Sequence, residues 1–492
     1  MTYNKEGNNV IYTSATQHAC NIESGVVSAE ELTKSYLARI NQLNPTINAI
    51  VAQDQEHSLF RAMELDQLAL NGQSLGPLHG VPVTVKECFN VKGFKTTVNY
   101  PPLKNYRPSE DSILVSRLKD AGAILLGKTN VPTLLADSQT FGPLFPTANN
   151  PYDLTRSTGG STGGGAAAVA TGMTTFEIGS DIAGSIRNPA HYCGLFGLKP
   201  TQNGHPTDGH VPPLPDRNVG YLDMNSTGPL ARTMADIELA YNICYAPRWD
   251  YLRYLPINRE FPEHKKLSDF RIGWFDEILG IQCSADTKKA LEGMVSSLER
   301  AGAKVEKIKI DPQLLGRILK LWAKIFGFVI GQDFSWPMRQ LLKLKFQRDL
   351  KGSKIEARHE LHQGLSLNFK QFSSAQLEQQ ELTAEFTTLF EDYDFLLSPT
   401  SAGPAFEHNQ KHKPIPIDGD TLHYSDYCFS FVMPYNVTRL PVLTVPTGLN
   451  EEGLPIGLSF AGPHYSEKQL IRFGKLLESA GYRFQAPPQF TL

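Results

Sequence analysis

Residues 109–127 read SEDSILVSRLKDAGAILLG. Ile113, Leu114, Leu118 and their neighbours recur at helical spacing, Gly122 supplies a stop, and AILLG then runs as a short apolar strand. The same unit returns as TKKALEGMVSSLERAG followed by AKVEKIKI (287–310), and as EQQELTAEFTTLFEDY followed by DFLLSP (378–399). Upstream, SAEELTKSYLARINQL (28–43) opens with Ser28 and Glu31 at capping-box spacing, and Pro45 is expected to follow its end. GVPVTVKECF (80–89) is rich in β-branched residues and reads as a buried strand. Helices alternating with strands predict an α/β fold: one large domain, 1–492, whose central mixed, mostly parallel β-sheet is covered by helices on both faces.

Composition narrows the function. Over 492 residues, 47 Lys plus Arg stand against 50 Asp plus Glu, a net charge of −3, which gives no bulk attraction to nucleic acid or to an anionic membrane. No apolar run approaches the length of a membrane span, and MTYNKEGNNVIY lacks the pattern of a secretory signal. The six cysteines are scattered, without a CxxC pair. A cytoplasmic protein is expected. His359 and His362 lack a third patterned ligand, so no metal site is expected. Between Arg317 and Arg358, ten basic residues stand against three acids around the apolar run LWAKIFGFVIG. A solvated amphipathic face explains that bias, and a lid or a docking face for an acidic partner is the alternative.

The chemistry concentrates in residues 156–201, RSTGGSTGGGAAAVATGMTTFEIGSDIAGSIRNPAHYCGLFGLKPT. Two glycine-rich turns each carry a serine, Ser161 and Ser185. Glycine lets backbone approach a ligand and lets N–H groups converge, as an oxyanion hole requires. A phosphate cradle is the competitor, but GGSTGGG lacks the Lys-Ser/Thr ending of a P-loop. Purely structural turns remain open for this segment taken alone.

The segment closely resembles the amidase signature, GGSSGGxAAAVAxG followed by GxDxGGSIRxPAxxxGxxGxKPT, across more than 40 contiguous positions. HGVPVTVKECF, GAILLGKTNVP, NNPYDLTRSTGG, STGPLARTMADIELA, LSPTSAGPA, LPVLTVPTG and LPIGLSFAGP extend the likeness, densely over 27–245 and loosely over 393–480. Residues 246–392 match only as a pattern of elements; they are expected to be a variable, helix-rich insertion that shapes the substrate pocket.

The resemblance implies a Ser–Ser–Lys triad: Ser185 the nucleophile, Ser161 the relay and Lys86 the base. It also implies a cis bond between Gly160 and Ser161, an oxyanion hole from the N–H groups of Ile182, Ala183, Gly184 and Ser185, and a turn braced by Asp181 and Arg187. Thr162 and Ala183 replace the family's more usual serine and glycine; the alanine keeps its N–H provided that position does not need positive φ. Lys86 can act only when neutral, and bringing its pKa close to 7 takes about 4 kcal/mol of desolvation. The implied activity is hydrolysis of a carboxamide through an acyl-serine, without metal or cofactor, on a small-molecule substrate, with no nucleic-acid partner and with a homodimer left open. Two alternatives stand beside it: the glutamine-hydrolysing component of a tRNA-dependent amidotransferase, and a non-enzymatic ligand-binding protein.

Overall fold

The computed structural model describes residues 10–215, 222–245 and 259–491. The first nine residues, residues 216–221, the start of the expected insertion at 246–258 and the last residue lie outside these.

Eleven strands form one sheet. In chain order they are β1 (Ile50–Ala52), β2 (Pro82–Lys86), β3 (Ile124–Thr129), β4 (Phe176–Asp181), β5 (Phe196–Lys199), β6 (Ser226–Ala231), β7 (Arg271–Trp274), β8 (Lys304–Lys307), β9 (Phe395–Pro399), β10 (Val442–Leu449) and β11 (Pro455–Ala461). Their spatial order is β1-β3-β2-β4-β6-β5-β10-β11-β9-β7-β8. Helices flank this mixed sheet, an α/β architecture. One detail of the expectation is corrected. Parallel pairing is confined to β2 with β3 and β4, and to β7 with β8 and β9; the remaining neighbours are antiparallel. Helix–Gly–strand units generate the parallel pairs, whereas a short turn joins β10 to β11 and can only produce an antiparallel pair.

The recurring units fold as their sequences suggest. Ser112 precedes the helix Ile113–Asp120, Gly122 takes a φ of 92°, and β3 follows. The capping box is formed, Ser28 Oγ accepting from Glu31 N and a Glu31 carboxylate oxygen accepting from Ser28 N, each at 3.0 Å. That helix does not stop before Pro45 but runs over Ala29–Ile47 and ends at left-handed Asn48. Asn41, whose carbonyl loses its partner to the proline, is exposed to water.

Residues 259–392 divide in two. β7, the helix Ala285–Arg300 and β8 join the main sheet. Five further helices, Pro312–Gly331, Trp336–Asp349, Arg358–Gly364, Phe369–Thr387 and the short Leu389–Asp392, belong with a second apolar core that includes Trp322, Phe386, Tyr424 and Tyr435. The first core holds Val83 and Val85 of β2, whereas Ile182 and Ala183, just beyond β4, pack against the second. The glycine-rich turns therefore lie where the two cores meet.

Candidate active site

β2 is buried along its whole length and lies parallel to β4, with Val85 beside Ile178. β2 ends at Lys86, level with Gly179, and β4 runs on through Ser180 to Asp181. Lys86 is completely buried. Its Nζ lies 2.8 Å from Ser161 Oγ, 2.9 Å from Ser180 Oγ and 3.2 Å from the Ser180 carbonyl. Burial pushes its pKa down to about 8, against the opposing pull of the Asp181 and Glu177 carboxylates. Cys88 does not contribute a thiolate, since burial raises its thiol to about 12.

Ser161 is held by its own loop. The Gly160–Ser161 peptide bond is cis, and Thr140 Oγ1 donates to the Gly159 carbonyl at 2.9 Å. Gly160 lies so close to a neighbouring loop that a Cβ would come 2.5 Å from the Gln139 carbonyl, so no larger residue fits before the serine. Behind this loop, the helix Gly163–Ala170 is buried at every position, consistent with its small side chains.

The turn after β4 is organised by Asp181. Its carboxylate accepts from Gly184 N at 2.8 Å, from Ile186 N at 3.1 Å and from Arg187 Nε and Nη2 at 3.0 and 2.7 Å. Burial alone would raise Asp181, but the Arg187 charge and its hydrogen bonds, helped by Lys199 and Asn436, hold it well below the usual carboxylate range. Arg187 also donates to the Val432 carbonyl at 2.9 Å and to Asn436 Oδ1 at 2.5 Å, fastening the turn to a segment some 245 residues away.

One of the four N–H groups that the resemblance offered for an oxyanion hole is occupied in this arrangement. The Gly184 N–H is taken by Asp181, whereas no hydrogen bond among the described residues takes the N–H of Ile182, Ala183 or Ser185. Ala183 is absent from the positive-φ positions, so its methyl imposes no left-handed strain. Gly184 has a φ of 87°, and a Cβ there would sit 2.9 Å from both Asn188 Nδ2 and Val432 Cγ2. Ser185 is 8% exposed, and its carbonyl accepts from Thr162 N at 3.2 Å, so the two serine turns are joined directly.

The structure thus brings together Lys86, Ser161, Ser185 and the Asp181–Arg187 brace. Sequence reading missed four residues that touch this machinery: Ser180, His210, Trp322 and Asn436. His210 is 3.0 Å from Ser180 Oγ, and Trp322 Nε1 donates to the Ile182 carbonyl at 3.3 Å. Their only signals were a His in a proline-rich loop and a Trp in the apolar run LWAKIFGFVIG. His191 serves as a packing residue, bonded to the Gly403 carbonyl and to Gly457 N. Among the described residues, no group of three or more His, Cys, Asp or Glu could hold a metal ion, and no helix is long and apolar enough to cross a membrane.

The family model described as Amidase matches residues 31–471. This chain belongs to the amidase-signature family. It is accordingly an enzyme that hydrolyses a carboxamide bond. This amidase is 32% identical over 472 residues to an acylamidase of Rhodococcus erythropolis, with 94% of each chain covered. It is 30% identical over 483 residues to the A-type component of the glutamyl-tRNA(Gln) amidotransferase of Synechococcus sp. strain JA-3-3Ab, covering 94% of this chain and 91% of the relative. Amidotransferase components of that type recur among its relatives in several further bacteria. Among solved structures, one from a vestigial protein complex bearing on the origins of an s-triazine catabolic enzyme superposes with a TM-score of 0.79 at 26% identity, over 96% of this amidase and 99% of that chain.

Proposed function

We propose that this amidase works through an acyl-serine intermediate, with Ser185 as nucleophile, Ser161 as relay and Lys86 as base. The observation that carries the reading is the buried Lys86 amine 2.8 Å from Ser161 Oγ. A neutral amine there accepts the Ser161 proton while Ser161 takes that of Ser185, and Ser185 Oγ attacks the amide carbonyl carbon. The N–H groups of Ile182, Ala183 and Ser185, unpaired among the described residues, stabilise the negative oxygen. On collapse the C–N bond breaks, and the Lys86 proton returns through Ser161 to the departing nitrogen. Water then hydrolyses the acyl-serine, so the products are a carboxylic acid and ammonia or an amine.

Two acyl groups compete. The recurrence of glutamyl-tRNA(Gln) amidotransferase components among the relatives supports glutamine as the amide, with partner proteins receiving the ammonia. The aromatic wall beside the oxyanion turn supports an aliphatic or aryl acyl group instead: Trp322 stacks on Phe326 at 4.5 Å and on Phe429 at 6.4 Å, with Ile182 and Ala183 packed against the same core. In this reading the helices from Pro312 to Thr387 supply pocket walls.

A fluorophosphonate reagent tests the catalytic assignment. Wild-type protein labels at Ser185, Lys86→Ala labels very slowly, and Ser185→Ala does not label at all. Wild-type labelling of a folded Lys86→Ala variant sinks the triad. Purified protein assayed against aliphatic, aryl and amino-acid amides, with glutamine included, separates the two acyl classes. Ammonia released from glutamine alone, and only with added partner proteins, establishes the amidotransferase reading.

A further inference from the structure

Lys86 has a polar neighbour that the triad leaves unexplained. Ser180, on β4, presents both its carbonyl and its hydroxyl oxygen to the amine, at 3.2 and 2.9 Å. The same hydroxyl oxygen lies 3.0 Å from His210 Nε2, while His210 Nδ1 lies 2.8 Å from the Pro212 carbonyl.

The Cys88 thiol, with Sγ 3.9 Å from the same oxygen, is a longer and weaker partner than the imidazole at 3.0 Å. Proton counting along the shorter contacts gives one arrangement. A carbonyl oxygen only accepts, so His210 Nδ1 carries the proton donated to Pro212. In a neutral imidazole the Nε2 lone pair is then bare, and it accepts from the Ser180 hydroxyl. Ser180 has one hydroxyl proton, so towards Lys86 its oxygen can only accept. A neutral amine has two protons and one lone pair. The Ser180 hydroxyl and carbonyl oxygens take both protons, and the lone pair is left for the third neighbour, Ser161 at 2.8 Å.

We infer that His210 is a positioning residue for the Lys86 base: by holding the Ser180 proton away from the amine, it aims the Lys86 lone pair at Ser161. This rests on the triad reading above. The imidazole is neutral, since burial pushes His210 down to about 3, with the nearby Lys86 acting in the same direction. The ring is also fixed in place. Asn90 N donates to the Gly209 carbonyl at 2.8 Å and Val211 N to the Cys88 carbonyl at 2.9 Å, tying His210 to the chain just beyond Lys86. Its ring meets Phe89 edge-on with centroids 5.4 Å apart. Without a nitrogen acceptor at this position, the Ser180 hydroxyl can turn its proton onto the lone pair and compete with Ser161.

The test is the rate of Ser185 labelling by a fluorophosphonate, which needs no knowledge of the substrate. In that step Ser185 Oγ bonds to phosphorus, fluoride leaves and the serine proton passes through Ser161 to Lys86. His210→Phe keeps an aromatic ring against Phe89 but removes the acceptor, and labelling slows by about 10- to 100-fold. His210→Gln, whose amide oxygen can accept from Ser180, restores most of the rate. In a Ser180→Ala background, His210→Phe brings no further slowing, because the proton it controls is gone. Wild-type labelling by His210→Phe, failure of His210→Gln to rescue, or additive losses with Ser180→Ala would each overturn the inference. Should His210→Phe fail to fold, 15N NMR of the wild-type imidazole decides: a proton on Nδ1 and none on Nε2 is expected, and a protonated Nε2 overturns it. Lys86→Ala is labelled in parallel. If it reacts normally, the triad reading itself has failed; if it is inert while His210→Phe is unimpaired, only the role of His210 has failed.

Discussion

The indole N–H of Trp322 donates to the carbonyl of Ile182 at 3.3 Å. In a trans peptide the carbonyl and the following N–H point in opposite directions, so holding Ile182 O towards the helix Pro312–Gly331 turns the Ala183 N–H away from it. A helix distant in sequence thereby orients one of the three amides of the turn that no hydrogen bond takes among the described residues. Trp322→Phe keeps the stacked ring and loses the donor. Acylation is expected to slow about tenfold, less than the roughly 10²–10³ lost when an oxyanion donor is removed outright. Single-turnover acylation rates check this, and an unchanged rate removes Trp322 from the orienting role.

Lys86 sets a pH limb. With Lys86 as the proposed base, only its neutral form is active, so acylation is expected to rise with pH and reach half its plateau near pH 8. The same shift has a stability consequence of definite sign. The folded pKa lies below the ordinary lysine value of 10.5, so between about 8 and 10.5 the unfolded chain holds the extra proton and this group's contribution to stability grows with pH. Across that interval the gain is on the order of 3 kcal/mol. Wild type should therefore gain stability relative to Lys86→Met as pH climbs from 8 to 10.5, measured by urea unfolding; a constant difference between the two contradicts the buried amine.

Arg187 and Asp181 are both fully buried. Removing the cation in Arg187→Met strands the carboxylate, at a cost of about 3–5 kcal/mol. The midpoint of urea unfolding should fall accordingly, and activity should vanish with the turn. The double variant Arg187→Met/Asp181→Asn, which removes both charges, is expected to recover part of the stability but not the activity.

Neighbouring positions in the turn are predicted to respond in opposite ways. Ala183→Gly should remain active, because position 183 does not use left-handed backbone. Gly184→Ala meets a φ of 87° and contacts of 2.9 Å to Asn188 and Val432. It should lose about 1–2 kcal/mol to the backbone conformation alone, together with most of the labelling at Ser185. Equal tolerance at the two positions would contradict the described turn.

Much of this could be read locally. The helix–Gly–strand units, the capping box at Ser28 and the all-small helix behind Ser161 follow from spacing and residue type within a few turns of chain. Local reading failed where the outcome depended on pairing across the sheet. The antiparallel middle of the sheet is set by which strands become neighbours, and the helix Ala29–Ile47 runs through Pro45 because the residue that loses its backbone partner there, Asn41, lies on the water-facing side.

The sequence by itself determined the α/β alternation and singled out the lysine and two serines of the proposed triad, because helix periodicity, glycine turns and a contiguous signature are written in adjacent residues. Tertiary structure alone decided which amides stay unpaired, how far the Lys86 amine loses its charge and which side chains steer it. Those properties depend on burial and on partners such as His210, Trp322 and Asn436, which lie far along the chain and meet the site only when the two cores close around it.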